Sequence, residues 1–298
     1  EKFGENGFRL VVGDVRDAVL LAESAREAVV IVHLAAQVAV TTSVTNPRED
    51  FEINALGTFN VVEAARLSER KPALLYASTN KVYGEMEDVL LAEEATRWRY
   101  ADLPNGCPET QPLDFHSPYG CSKGAGDQYV RDYARIYGLP SVVLRQSCIY
   151  GTRQFGMEDQ GWVAHFASSA FHGKSITVYG DGKQVRDVLF VEDLVNLFEA
   201  FVPRSSQLRG AVFNAGGAPS LTLSLLELLK LLENTLGRTI PVSFADWRPA
   251  DQKVYISDTR RARTELGWEP RIRPEEGVKR ILEWIRAERV EAEMERVR

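Results

Sequence analysis

ALLYASTNKVYG, residues 73–84, opens as an apolar run and closes on hydroxyl and amide side chains. That is the pattern of a buried strand that delivers Ser78 and Thr79 at its carboxyl end. Runs of the same kind stand at FRLVV (8–12), AVVIVHLA (28–35) and SVVLR (141–145). Helical patterns lie between them. Residues 47–69 place Phe51, Leu56, Phe59, Val62 and Ala65 on a 3.6-residue rhythm and start at Asn46-Pro47, a cap followed by proline in the first turn. A second helix is expected from Ser117-Pro118 to Gly138, and 84–116, without sustained periodicity, reads as an excursion from the sheet. Strands alternating with helices predict a parallel α/β sheet covered on both faces.

Beyond residue 150 the pattern changes. A polar loop (151–161) leads to a helix (161–172), two short strands around GDGKQVRD, an amphipathic helix over Leu221–Leu236 closed by Gly237, and one polar-ended helix over the last 25 residues. The 298 residues are 44% hydrophobic and 26% charged, which excludes disordered and collagen-like classes. With a net charge of -6 there is no global positive field, so nucleic acid is not an expected partner. No apolar run approaches the ~18 residues of a membrane span, and EKFGENGF carries no basic-then-apolar leader, so a membrane is not expected either and the expected compartment is the cytoplasm. Cys107, Cys121 and Cys148 are odd in number and lack ligand spacing; neither a disulfide frame nor a metal site is expected.

The residues that point to chemistry are Tyr119 and Lys123 in SPYGCSKG. Four apart on a helix, they share a face. A neighbouring ammonium is expected to lower the phenol's pKa toward the range useful for proton exchange. The spacing alone is unspecific. Its context is stronger, because Thr79 ends a parallel strand, where ligands bind open α/β sheets, and can hydrogen-bond a substrate hydroxyl or the ketone made from it. Ala35 and Ala36, after the strand at 28–35, would let a ligand approach the backbone, although small residues also serve a strand packed under a helix.

The ordered set GDVRD (13–17), HLAAQ (33–37), NALGT (54–58), STNKVYG (78–84), Tyr119-x-x-x-Lys123, VRDVLFVED (185–193) and RPADQ (248–252) resembles the extended short-chain dehydrogenase/reductase family of nucleotide-sugar enzymes, over essentially the whole chain. STNKVYG, FHSPYGCSKGAGDQYVRDYARIYGL and RQFGMEDQGW are most similar to its branch that inverts carbon 2 of CDP-hexoses of the paratose and tyvelose type. The resemblance implies a Rossmann-type doubly wound sheet, with residues 1–152 and 186–217 binding NAD. It also implies a smaller α/β substrate-binding domain from 153–185 and 218–298. Asp14 and Val15 would lie against the adenine, Ala35, Ala36 and Gln37 along the phosphates and ribose, and Asn54, Ser78 and Gln146 on the cofactor side of the site. Tyr119 would be the acid–base residue, Lys123 would hold the nicotinamide ribose, and Thr79 would orient the sugar hydroxyl. Arg186 and Arg248 would grip the pyrophosphate of a CDP-hexose, unless they pair with carboxylates such as Asp187 or Asp251. Gln154, Asp159 and Gln160 would set the sugar, unless their loop merely caps the next helix. A homodimer or homotetramer through helices 47–69 and 118–137 is implied too.

Two departures stand out. The family's glycine-rich turn and the acidic ribose contact ~20 residues later are absent, and GDVRD begins already at residue 13, so a βαβ unit is expected ahead of residue 1. Cys148 stands where many sugar epimerases carry Asn, and reads as a small buried residue. Asn80-Lys81 follow Thr79 where 4,6-dehydratases place an Asp-Glu pair; an amide cannot act as the acid, which disfavours elimination. A UDP-sugar 4-epimerase and a catalytically silent nucleotide-binding sensor are the remaining readings.

Overall fold

The computed structural model describes residues 7–248 and 252–297, and side chains as far as residue 288. Asp17 caps α1 (Ala18–Ala25) by accepting from the Val19 and Leu20 amides. Strand β1 (Val30–His33), α2 (Val40–Thr45) and α3 (Pro47–Phe51) follow. Asn46 caps α3, accepting from the Glu49 amide at 3.4 Å. The single helix expected over 47–69 is interrupted: Glu52–Leu56 form a π-helical turn before α4 (Gly57–Leu67), and Asn54 in that turn is buried. Such turns recur at functional sites.

Next come β2 (Ala73–Thr79) and, inside the 84–116 excursion, the hairpin β3 (Leu91–Glu93) and β4 (Trp98–Tyr100). Helix α5 (Ser117–Tyr137) ends at Gly138, whose φ of 68° is the left-handed cap that glycine adopts at little cost. The remaining elements are β5 (Ser141–Gln146), β6 (Cys148–Tyr150), α6 (Trp162–Phe171), β7 (Ile176–Tyr179), β8 (Val185–Phe190), α7 (Val191–Phe201), β9 (Ala211–Ala215), β10 (Thr222–Ser224), α8 (Leu225–Leu236), β11 (Val242–Ala245), β12 (Val254–Tyr255), α9 (Arg260–Leu266) and α10 (Pro274–Val297). The amphipathic helix starts at Leu225 rather than Leu221 because Ser224 and Glu227 form a reciprocal capping box, leaving Thr222–Ser224 to pair as β10.

The main sheet runs β1-β2-β5-β9, all parallel, with Thr79 opposite Gln146 and Gln146 opposite Ala215. One face packs under α4 and α5 through Val61, Val62, Val130 and Tyr133 against Leu74, Tyr76 and Val143. The other packs under α7 and α9 through Leu197, Phe201, Leu266 and Trp268 against Leu75, Leu144 and Phe213. Alternate residues of β2 thus feed opposite cores, as strand pleating requires. A second sheet, β10-β8-β12 with β6 parallel to β8, and α6, α8 and α10 enclose another core around Phe166, Phe190, Leu228 and Ile281.

The expected buried strand over 8–12 is not formed. Residues 8–12 lie in no ladder, and Leu10 and Val12 are 75% and 89% exposed. β1 pairs with β2 on one side, and among the described residues no strand flanks its other side. An apolar composition alone does not hold an extended segment without a ladder.

Candidate active site

Gly126 lets α5 approach β2: a Cβ there would stand 2.5 Å from the Tyr76 hydroxyl. The seating points Tyr119, Lys123 and Asp127, one turn apart each, at the sheet, and all three are buried. Lys123 Nζ donates to the Ala77 carbonyl at 2.6 Å and lies 4.4 Å from the centre of the Tyr76 ring. Thr79, at the tip of β2, neighbours Tyr119; its Oγ1 donates to Asn80 Oδ1 at 3.4 Å and accepts from the Lys81 amide at 3.2 Å.

The expected depression of the Tyr119 pKa is not what this arrangement produces. Burial pushes the phenol up to about 12, the neighbouring Thr79 side chain lowers it in part, and the nearby Asp50 carboxylate raises it further. Burial also drives Lys123 down to about 7, against the pull of Asp127 and Asp50. The ammonium is turned to a carbonyl, and desolvation is the largest influence on the phenol.

Beneath the pair lies a polar network that sequence reading missed. Arg145, buried on β5, donates to Asp127 at 2.9 and 3.2 Å and to the Tyr83 hydroxyl at 3.1 Å. Tyr83 donates to Asn214 Oδ1 at 2.7 Å, and Ser78 donates to Asp127 at 3.0 Å. Ser78 thus engages the network, fixing the end of β2 against α5. His33 at the end of β1 is buried with Nε2 2.9 Å from Thr58 Oγ1; burial, then Lys123, lowers its pKa to about 3, so it is neutral. Asp127 was legible as the next residue on the Tyr119–Lys123 face. Asp50, Tyr83, Arg145 and Asn214 come from separate elements, and no local spacing signals them.

The expected cofactor residues fall into two groups. Ala35 is exposed and Ala36 half-buried beyond the end of β1; Gln146, at the tip of β5, has a buried amide nitrogen with no hydrogen-bond partner among the described residues. Small residues, a buried cation at Lys123 and an unpaired amide at adjoining strand tips fit the nicotinamide half of a dinucleotide. Gln37 and Asn54 are instead committed to each other and to Asp50: the Gln37 amide donates to Asn54 Oδ1 at 2.9 Å and Gln37 Nε2 to Asp50 at 2.8 Å. Asp14 is exposed and paired with Arg16 at 2.7 Å, and the hydrogen bonds from Arg16 lower its pKa to about 2. Val15 packs against Gly57 of α4.

In the second unit, Gln154 Nε2 donates to the Ile149 carbonyl at 3.1 Å, while its Oε1 is buried with no partner among the described residues. Arg248 pairs with Asp159 at 3.2 Å and Glu158 at 3.6 Å and stacks 4.0 Å from the Tyr179 ring, so two expected substrate residues meet. Asp251 lies outside the described residues. Gln160 is exposed and forms an isolated bridge with Met157. Arg186 is half-buried and donates to the Val185 carbonyl at 2.8 Å. Asp187 is buried and accepts from the Ser147 hydroxyl, the Ser257 amide at 3.0 Å and the Ala218 amide at 3.3 Å. Cys148 is half-buried, and its Sγ accepts from Trp162 Nε1 at 3.4 Å. Among the described residues no group of three or more His, Cys, Asp or Glu could hold a metal, and no helix is long and apolar enough to cross a membrane.

The family model described as GDP-mannose 4,6 dehydratase matches residues 1–281. The chain belongs to this family, within the extended short-chain dehydrogenase/reductases. Among its relatives, CDP-paratose 2-epimerase of Salmonella typhi is 46% identical over 257 residues, 85% of this chain and 76% of that protein. The dTDP-glucose 4,6-dehydratase of Streptomyces antibioticus is 33% identical over 279 residues, covering 94% of this chain and 76% of that one. The UDP-glucose 4-epimerase of Thermus thermophilus, solved with NAD, superposes with a TM-score of 0.78 at 30% identity, over 95% of this chain and 86% of that one. The Tyr119–Lys123 helix and the strand ending in Thr79 are therefore parts of a nucleotide-sugar dehydrogenase/reductase-type enzyme fold.

Proposed function

We propose that this protein is an NAD-dependent nucleotide-sugar epimerase that inverts carbon 2 of a CDP-hexose of the paratose and tyvelose type. The observation that carries the reading is the placing of Thr79, at the tip of β2, beside the buried Tyr119, with Lys123 one helical turn on. Asn80-Lys81 following Thr79 supply no carboxylic acid there, which favours epimerisation over dehydration. The 46% identity to the Salmonella typhi CDP-paratose 2-epimerase supports carbon 2 and the cytidine nucleotide.

NAD, when bound, supplies the acceptor and donor for the hydrogen on carbon 2. Tyr119, acting as the phenolate, takes the proton of the carbon-2 hydroxyl to become the phenol and returns that proton to the oxygen of the transient ketone, ending as the phenolate again. Thr79 orients that oxygen. Lys123 holds the ribose hydroxyls of the cofactor, with Ala35, Ala36 and Gln146 beside it. Ser78, Gln37 and Asn54 act from behind, keeping the strand tip, the loop after β1 and α5 in place. Asp14 and Val15 lie on the adenine side. Arg186 and Arg248 take the pyrophosphate, a task suited to the guanidinium fork, and Gln154, Asp159 and Gln160 face the sugar. Arg248 would exchange its contacts with Glu158 and Asp159 for the phosphates.

In this reading residues 1–152 and 186–217 form the cofactor unit, and 153–185 and 218–298 the substrate unit, although α9 packs on the main sheet. The protein works in the cytoplasm as a homodimer or homotetramer. The second reading, a UDP-sugar 4-epimerase, is favoured by the likeness to the Thermus thermophilus enzyme. Incubating the purified full-length enzyme with CDP-paratose and, separately, UDP-glucose decides between them. Inversion at carbon 2 of the first without added reductant is expected; inversion at carbon 4 of the second alone would replace this reading.

A further inference from the structure

Asp50 of α3 is 1% exposed and has no part in the chemistry above. One carboxylate oxygen accepts from Gln37 Nε2 at 2.8 Å and Asn54 Nδ2 at 3.0 Å, and the other from Ser122 Oγ at 2.5 Å. Asn54 also grips the Gln37 backbone, accepting from its amide at 2.9 Å and donating to its carbonyl at 3.0 Å. Gln37 closes on Ala39, donating to its carbonyl at 2.9 Å and accepting from its amide at 2.5 Å. The loop leaving β1, the π turn and α5 therefore converge on one carboxylate. Ser122 stands three residues after Tyr119 and next to Lys123.

A buried carboxylate is costly unless its oxygens are hydrogen-bonded, and here neutral donors do that work. An uncharged acceptor would satisfy such donors with a smaller desolvation penalty. What the carboxylate adds is a negative charge directed at the reacting pair. The groups around that pair are His33 on β1, Tyr76 on β2, Asp50 on α3, and Asp127 on α5 with Arg145 of β5 against it. Asp127 is already paired with Arg145, whereas Asp50 accepts from neutral groups. We propose that Asp50 is a positioning residue for Tyr119 and Lys123, fastening the loop after β1 to α5 and setting the charge that the pair feels. The proposal rests on the acid–base reading of Tyr119, and the two fail separately.

The test uses the full-length enzyme and two variants. Wild-type inversion of CDP-paratose checks the acid–base reading by itself. Titration of the Tyr119 ζ-carbon in carbon-13-labelled protein, assigned with Tyr119→Phe, checks Asp50 without any turnover. Asp50→Asn is expected to titrate Tyr119 at lower pH than wild type and, by removing a charge that keeps Lys123 protonated, to lower kcat about 10- to 100-fold with KM within about twofold. Asp50→Glu keeps the charge but moves it by a methylene, so the Tyr119 titration stays near the wild-type position while kcat still falls. An unmoved titration in Asp50→Asn, or a loss carried by KM with kcat intact, overturns the proposal. Should Asp50→Asn fail to fold, Ser122→Ala carries the test: a lower kcat at constant KM supports the proposal, and an unchanged kcat overturns it.

Discussion

Burial works against charge at both members of the reacting pair, and this has measurable consequences for single residues. This chain's own groups hold Tyr119 protonated through neutral pH, so the phenolate that the reaction uses calls for the positive charge that bound NAD would bring, and Lys123 sits near the middle of its titration there. Tyr119→Phe removes the proton carrier while keeping the ring, so kcat should drop by roughly 10²–10⁴ with little change in the melting temperature. Stability carries its own signature. His33, lowered from 6.5 to about 3, is buried neutral, so the unfolded chain binds more protons between these values and stability falls as pH drops below about 6.5. Lys123, lowered from 10.5 to about 7, adds stability as pH rises through that interval by the same sign. Melting curves between pH 5 and 7 should show the first slope, and His33→Gln should flatten it; an unchanged slope would remove His33 as its source. The Tyr119–Lys123 spacing and Thr79 were legible because each depends on one element and its end. The direction of the tyrosine's shift was not, since it depends on how deeply α5 packs, which Gly126 and Tyr76 decide between them.

At the scale of elements, two buried acids tie strands to their neighbours. Asp127 and Arg145 join α5 to β5, and breaking only one side strands a charge in the core. Arg145→Met should therefore cost about 3–5 kcal/mol in denaturant unfolding, and Arg145→Met with Asp127→Leu substantially less. Equal losses in both would show that the charge pairing is not the source. Asp187 plays a comparable part for β8, accepting from Ser147, Ala218 and Ser257 on three different segments. Three of the four strands expected in the first half formed, since each has a parallel neighbour with which to pair. The run at 8–12 has the same composition and no ladder, which is the limit of reading strands from apolar runs: pairing is a tertiary property. The π turn at Glu52–Leu56 was likewise hidden inside an ordinary helical rhythm.

For the whole molecule, α4 and α5 keep Leu67, Tyr129, Ile136 and Tyr137 exposed beside the faces they give to the sheet. A second copy of the chain is the expected cover. Tyr129→Arg should shift the light-scattering mass of the full-length enzyme to a smaller species, and a wild-type monomer would remove the proposal. The central claim, however, concerns the reaction: inversion in which hydrogen leaves and returns to the same carbon without mixing with water. Nuclear magnetic resonance of the product formed from CDP-paratose carrying deuterium at carbon 2, in ordinary water and without added reductant, measures this directly. The expected product is inverted at carbon 2 and keeps its deuterium. Inversion accompanied by replacement of that deuterium by solvent hydrogen would contradict the account.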